Sequence, residues 1–286
     1  MGKDRKVVLT AECICDMPEH ILKEIDVNII HYNICIGEYE YQTETEINTE
    51  NILEYMERSD EKVETYAPKV EEYRSFFKAN IKEGKPLLHL ALDAQAGDSY
   101  VNAMEAAKDF PQVTVLDSRQ ISGGLGLLVL AAAEAADEGK NIAEIICQLD
   151  LLQKRVNTSF LISRGEYMYQ KWNIQKGIVK ILNRFPTHLE VRLKGGEIKT
   201  SYFKIKFGIL QECYRGYIRG ILKRARPDGG VLILTHAGCS YEQQEEIRRE
   251  IEKYVHFNKI IVNTASAVVT CNCGGKSIGL QFLNET

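Results

Sequence analysis

Hydroxyl side chains, small residues and backbone N–H groups recur where predicted strands end and helices begin. The loops that carry them are residues 10–16, 65–68, 97–99, 117–124 and 271–277. Such groups at helix starts can hold a carboxylate or phosphate without a dedicated cation. The same residue types also make ordinary turns and helix caps. Because the loops follow strands of a predicted parallel sheet, we expect them to face one ligand cleft.

The cysteines offer a different chemistry. Cys13 and Cys15 form one C-x-C pair, and Cys271 and Cys273 form another. If the two loops met, four thiolates would make a zinc site, although C-x-C is tighter than the usual ligand spacing. The alternative is that these are small buried thiols. Eight cysteines in 286 residues are not a disulfide framework, so we expect free thiols.

Catalytic patterns and cofactor motifs are weak. His89 lies within a predicted strand and is expected in the core, whereas His236 ends a strand and could reach a cleft. No nucleophile, base and acid occur in a recognisable pattern. Gly124 and Gly126 lack the third glycine of a dinucleotide-binding loop, since Val129 stands there. The residues alone therefore leave two readings open, a ligand-binding protein and an enzyme or metal protein that uses the cysteine loops.

The elements that position these loops alternate between strand and helix. Buried strands are predicted at residues 6–10, 87–92 and 113–116, and helices at 69–82, 97 onward, 123–137 and 142–156. Beyond residue 155 the pattern predicts strands at 158–162, 231–235, 259–262 and 277–283, a hairpin around 195–196, and helices at 174–182, 205–225 and 240–254. This indicates an α/β fold of two α/β domains, 1–155 and 156–286, with largely parallel sheets and a ligand cleft between them. The last segment could return to the cleft.

Charge divides along the chain. Residues 1–150 hold 14 Lys/Arg and 29 Asp/Glu, a net charge of −15, whereas residues 151–286 hold 22 and 11, a net charge of +11. A basic stretch after residue 203 could touch nucleic acid, but a solvated face or a protein contact is the commoner role. Its basic residues are Lys204, Lys206, Arg215, Arg219, Lys223, Arg224 and Arg226. No signal-peptide core or bilayer-length apolar run occurs, which predicts a soluble cytoplasmic protein without membrane insertion.

The order of these motifs resembles the DegV family of bacterial fatty-acid-binding proteins over nearly the whole chain. The best match is a strand ending in Asp117-Ser118 followed by the Ser/Gly-rich helix start at residues 122–126. Further matches are Thr10-Ala-Glu12 with Met17-Pro18, Thr65-Tyr-Ala-Pro68, Gly97-Asp-Ser-Tyr100 with Ala106-Ala107, and Asn272-Cys-Gly-Gly275. The resemblance implies a binding protein that is not an enzyme by itself and needs no cofactor. It also implies that the protein buries one acyl chain and can present the fatty acid to a separate kinase.

Carried over residue by residue, the resemblance implies a head-group site in the cleft. Its residues here are Thr65, Gly97, Asp98, Ser99, Asn173, Asn272, Cys273 and Gly274. Several depart from the family pattern, which has Ser where Gly97 stands, His at Asn272 and Arg at Asn173. Losing the Arg and the His removes charge that favours a carboxylate. The resemblance implies that the ligand is a long-chain fatty acid or similar lipid. The lost charge leaves a different small or neutral ligand as the alternative.

Overall fold

A computed structural model describes residues 5–59, 63–163, 187–194 and 197–286. The side chains of 194 and 197–203 are outside that description. The helices are α1 (Glu19–Glu24), α2 (Thr49–Arg58), α3 (Val70–Asn80), α4 (Ser99–Ala107), α5 (Gly123–Asp137), α6 (Ile142–Gln153), α7 (Leu210–Leu222), α8 (Tyr241–Glu252) and α9 (Ala267–Cys273), with a short 3-10 helix at Cys13–Cys15. None of these described helices has the length and apolar character needed to span a bilayer.

The first sheet contains four strands in the order β2-β1-β6-β7, and all of its pairings are parallel. The strands are β1 (Val8–Glu12), β2 (Val27–Ile30), β6 (Leu87–Ala91) and β7 (Val113–Asp117). Every residue of β1 and β6 is buried, as expected for parallel strands covered on both faces. The sheet predicted from the buried strand and helix pattern is therefore confirmed here.

A small antiparallel sheet follows β2 in the chain. It orders β4 (Tyr39–Gln42), β3 (Asn33–Ile36) and β5 (Val63–Tyr66) side by side. Gly37 takes a left-handed conformation, φ 59°, in the turn between β3 and β4. The loop after β5 therefore follows an antiparallel strand. The expectation that it ends a strand of the parallel sheet was wrong.

The second sheet contains six strands in the order β10-β9-β8-β13-β11-β12. They are β8 (Val156–Ile162), β9 (Thr187–Lys194), β10 (Glu197–Phe207), β11 (Pro227–His236), β12 (Lys259–Thr264) and β13 (Ile278–Asn284). Within this sheet β11 and β12 pair in parallel and the other neighbours are antiparallel. The α/β class is confirmed, but largely parallel pairing applies to the first sheet and not to the second. Chain length gives the reason for one of these pairs, because two residues separate β9 from β10 and a parallel pair needs a crossover of a dozen or more.

Helix α5 is the element that the two sheets share. It contacts β1 and the 3-10 helix on one side, and β8, β11 and β13 on the other. Leu125 and Leu128 are fully buried, and few residues of the helix reach the surface. A helix that is apolar all round is expected to be enclosed in this way. The chain from 113 to 137 therefore joins both halves of the core.

Two predicted segments need correction. The basic stretch was expected to be helical from 205 to 225, but residues 205–207 belong to β10 and the helix begins at Leu210. The segment 271–277 was expected to be a loop, but Cys271 to Cys273 form the last turn of α9. The end segment pairs as β13 between β8 and β11. A domain boundary near residue 155 stays a prediction, as does the helix at 174–182, which lies outside the described residues.

Candidate functional site

Thr65 and Asn272 meet although 207 residues separate them in the chain. Thr65 lies in β5, and Asn272 lies in the last turn of α9. The Asn272 side-chain amide donates to the Val268 carbonyl at 2.7 Å, which fixes its rotamer, and lies 3.4 Å from Thr65 Oγ1. Both side chains are partly exposed. The structure therefore brings together two of the residues predicted to hold a head group.

The start of α4 carries three more predicted residues. Gly97 and Asp98 are exposed, whereas Ser99 is fully buried. Asp98 occupies the N-cap position without a side-chain cap bond. Helix α4 is held next to the β5–α3 connection by Asn102, whose amide donates to the Pro68 carbonyl at 2.9 Å. Helix α4 and the loop that follows β5 are therefore neighbours.

Ser99 is already hydrogen-bonded inside the protein, to a carboxylate that the sequence analysis did not select. Its hydroxyl donates to Glu12 Oε2 at 3.2 Å. Glu12 is fully buried at the end of β1 and accepts three further hydrogen bonds. Their donors are the Tyr32 hydroxyl at 2.8 Å, the Tyr73 hydroxyl at 2.7 Å and the Leu92 backbone N–H at 3.0 Å. The available signal was an acidic residue at the end of an otherwise apolar buried strand.

Aromatic rings enclose the Glu12 side chain. Tyr73, Phe77 and His89 pack edge to face or tilted, with ring centroids 5.4 to 5.8 Å apart. His89 Nδ1 lies 3.0 Å from Thr10 Oγ1, and its Nε2 lies 3.7 Å from Glu12 Oε1. His89 is fully buried, as predicted for a core histidine. Burial, followed by the Glu12 charge, raises the pKa of Tyr73 well above its usual range, so the phenol stays a donor.

Asp16 ties three segments together beside this cluster. Its carboxylate accepts a hydrogen bond of 2.5 Å from the Ser122 hydroxyl and one of 2.7 Å from the Ser266 backbone N–H. Burial raises the pKa of Asp16 to about 6, although both hydrogen bonds act in the opposite direction. Glu44 contributes a similar link, because it accepts from the Ala267 N–H at 3.0 Å. The start of α9 is thereby attached to the first half of the chain.

A cavity of about 860 Å³ opens on the other side of Asp16. It contains none of the predicted head-group residues that the structure describes. Its lining mixes polar and apolar groups from the 3-10 helix, α1, β2, α3, the loop after β4 and the end of β12. Among them are Asp16, Leu22, His31, Glu44, Phe76 and Ser266. We therefore regard it as separate from the Thr65–Asn272 junction.

The cysteine alternative finds no support in the described residues. They contain no group of three or more His, Cys, Asp and Glu side chains placed to bind a metal, and all four C-x-C cysteines lie among them. Burial raises the pKa of the Cys13 thiol and of the Cys273 thiol to about 12 each, which keeps the sulfur protonated. In the described residues these thiols are buried small side chains.

The remaining predicted residues that the structure describes lie at the ends of a helix or a strand. Cys273 ends α9 and its carbonyl accepts from the Ser277 hydroxyl at 2.7 Å, while Gly274 follows as the buried C-cap. His236 is buried at the end of β11 and its Nδ1 lies 3.4 Å from the Cys239 N–H. Asn173 lies outside the described residues.

Fold and site together define an α/β protein with two sheets around a shared buried helix and a polar contact between β5 and α9. Helix α4 is hydrogen-bonded to the loop that follows β5. A family profile described as "Uncharacterised protein, DegV family" matches residues 6–285. The chain belongs to the DegV family, which confirms the resemblance seen in its motifs.

Relatives and solved structures match along the full length. DegV domain-containing proteins of Staphylococcus aureus (strain COL) and Clostridium acetobutylicum are 22% and 24% identical, with 98% of this chain and 99% of each relative covered. A Thermus thermophilus structure described as "Fatty Acid Binding of a DegV family Protein" has a TM-score of 0.83 at 18% identity, covering 98% of this chain and all of that one. A Eubacterium eligens DegV family protein loaded with heptadecanoic acid has a TM-score of 0.84 at 16% identity, with the same coverage.

Proposed function

We propose that this protein binds one long-chain fatty acid or a similar lipid, with its head group at the junction of β5, α4 and α9. The observation that carries the proposal is the meeting of Thr65 and Asn272, within a fold shared along its whole length with proteins described as fatty-acid-bound. Both side chains are partly exposed and offer a hydroxyl and an amide to a polar head group.

The acyl chain would enter the apolar interior of the first half, against the helices that begin at Ser99 and Gly123. Helix α4 packs the small side chains Ala103 and Ala106 into the apolar cluster around Tyr73 and Phe77, whereas α5 packs Leu125 and Leu128 into a separate apolar cluster. Burying an acyl chain contributes about 0.8 kcal/mol per methylene group, so most of the affinity would come from the chain. The head group would then set selectivity rather than overall affinity.

Native mass spectrometry of protein purified from cells tests the proposal. We expect one lipid per chain, and a raised melting temperature when hexadecanoic acid is added to delipidated protein. The proposal fails if no lipid co-purifies and added lipids leave the melting temperature unchanged.

A matched pair of variants tests whether the head group binds at Thr65. Thr65→Val removes the hydroxyl while keeping the shape, and we expect binding to weaken by about three- to tenfold through loss of a hydrogen bond. Thr114→Val makes the same change at an exposed position of β7 and should leave the affinity unchanged. Equal affinities of the two variants would remove Thr65 from the site.

Presentation of the bound lipid to a separate kinase, and a cytoplasmic location, are finer proposals. The kinase step requires the head group to be reached from solvent, and the exposure of Gly97 and Asp98 beside the junction is compatible with it. Transfer of labelled phosphate to the bound lipid by a fatty acid kinase tests it. Protein that carries lipid yet never supports transfer would exclude that role.

A further inference from the structure

We infer that Glu12 makes this site select an uncharged, hydrogen-donating lipid head group, such as a protonated carboxylic acid or a primary amide, over a carboxylate. The inference rests on the proposed lipid binding. Glu12 is itself a carboxylate, and it takes up two donors that a ligand anion would need, the Ser99 hydroxyl at the start of α4 and the Leu92 backbone N–H after β6. The protein therefore supplies its own anion at this point.

The Glu12 carboxylate accepts four hydrogen bonds. One oxygen accepts from Tyr73, and the other accepts from Tyr32, Leu92 and Ser99. A carboxylate offers about two acceptor positions on each oxygen, so Oε2 is fully used and Oε1 keeps one position. Removing any donor to serve a ligand would leave a buried charge under-bonded, which is costly. These donors are accordingly not available to a second carboxylate.

The direction of the Ser99 hydrogen bond fixes what this residue can offer. Its hydroxyl hydrogen points to Glu12, so only the oxygen lone pairs remain for another partner. An acceptor of this kind binds an O–H or N–H group and repels a carboxylate. Ser99 follows the exposed residues Gly97 and Asp98, so the start of α4 runs from the surface to the buried Glu12 carboxylate.

The negative charge of Glu12 also repels a ligand carboxylate that does not contact it. It is fully buried, where charges are screened far less than in water. The titratable groups that face it are Tyr32, Tyr73, His89, Cys13 and Cys15. The phenols and thiols carry no positive charge in any protonation state. His89 gains one on protonation, so a test by pH needs a ligand without a titrating group as its reference.

The pH dependence of the dissociation constant reveals whether the site selects an uncharged head group. A fatty acid that binds only when protonated should show a dissociation constant that rises about tenfold per pH unit above the pKa of the free acid. The corresponding amide does not titrate, so its affinity reports changes in the protein alone. The ratio of the two constants therefore isolates the protonation of the ligand from that of His89 or other protein groups.

Titration calorimetry on the delipidated wild-type chain measures that ratio, with cyclodextrin-solubilised hexadecanoic acid and hexadecanamide at about pH 6 and pH 8. We expect the amide to bind at least about tenfold more tightly at pH 8, and the ratio to change by about a hundredfold between the two conditions. Equal affinities with a pH-independent ratio would overturn the inference but keep lipid binding. Failure of both ligands to bind at either pH would overturn the proposed function itself.

A charge-neutral variant provides the second arm. Glu12→Gln keeps the shape and removes the charge, and we expect it to bring the acid-to-amide ratio at pH 8 at least about tenfold closer to one. Glu105→Gln makes the same change on the exposed face of α4, where Glu105 pairs with Lys108, and should leave the ratio at its wild-type value. Thermal unfolding checks that each variant folds. A folded Glu12→Gln protein with an unchanged ratio would contradict the role of Glu12, and the wild-type measurement stands if the variant does not fold.

Discussion

The Asp16 carboxylate accepts a 2.7 Å hydrogen bond from the backbone N–H of Ser266, 250 residues further along the chain. Asp16 follows the first strand, and Ser266 is the N-cap of α9. Because the Ser122 hydroxyl donates to the other oxygen, the same carboxylate also holds the start of the shared helix α5. Asp16 thus links the first sheet, the shared helix and the helix that carries Asn272.

Asp16 should make stability depend on pH in a defined window. Its pKa is about 6 in the folded protein against a usual value of 3.8, so the folded state binds the proton more tightly. Between about pH 6 and pH 4 this group should therefore add stability as the pH falls, up to about 3 kcal/mol. Asp16→Asn should lack this contribution. Urea unfolding of both proteins across that window measures the difference.

The difference between the two unfolding curves isolates Asp16, since the other carboxyl groups are common to both proteins. Asp150→Asn, at an exposed position of α6, is the matched control and should follow the wild type. Parallel pH profiles for Asp16→Asn and wild type would contradict the prediction.

Close packing of α5 should make Gly126 intolerant of a side chain. A Cβ at this position would lie 2.7 Å from the Cys15 carbonyl oxygen and 2.9 Å from the Met17 sulfur. We expect Gly126→Ala to lower the free energy of unfolding by about 1–3 kcal/mol through overpacking. Gly216→Ala in α7 is the control, because its Cβ would meet only Lys206 Nζ at 3.6 Å.

In that control the change should be neutral or stabilising by up to about 1 kcal/mol, since alanine favours a helix more than glycine does. Chemical denaturation of both variants gives the comparison. Equal effects of the two substitutions would show that the approach of α5 to Cys15 is looser than the structure has it.

The Tyr73 hydroxyl should contribute to stability through Glu12. Tyr73→Phe removes one of the four donors and leaves a buried carboxylate oxygen without that partner. We expect a loss of about 1–3 kcal/mol in the free energy of unfolding. Tyr241→Phe deletes the same atom from a ring that is 73% exposed and should change stability little. A Tyr73→Phe protein as stable as the wild type would mean that Glu12 is satisfied in another way.

Cysteine reactivity should follow burial. Cys147 is exposed, whereas Cys13 and Cys273 are buried with pKa values raised to about 12. Iodoacetamide attacks the thiolate, so at about pH 8 we expect Cys147 to be alkylated well before the other two in folded protein. Peptide mapping by mass spectrometry gives the order. Equal labelling of Cys13 and Cys147, or zinc at more than about a tenth of an equivalent, would reopen the cysteine site.

Local sequence patterns predicted much of the fold. Neighbouring residues alone predict the apolar strands β6 and β7 and the apolar helix α5, which begins with glycines. The observed bounds of these elements differ little from the predicted ones. The order of strand-end motifs also identified the family. Strand direction in the second sheet was not predictable in this way, because it depends on which strands become neighbours after the chain returns as β13.

Some features of the candidate site were likewise predictable from the sequence, and others depend on the tertiary structure. By itself the sequence determined that hydroxyls and small residues gather at strand ends, since periodicity and turn residues act over a few positions. Only the tertiary structure decided that Ser99 faces a carboxylate of the protein itself. The donors to Glu12 come from residues 20, 61, 80 and 87 positions away, and only the packing of distant elements brings them within hydrogen-bond distance. Side-chain hydrogen bonds require that proximity, which no local pattern encodes.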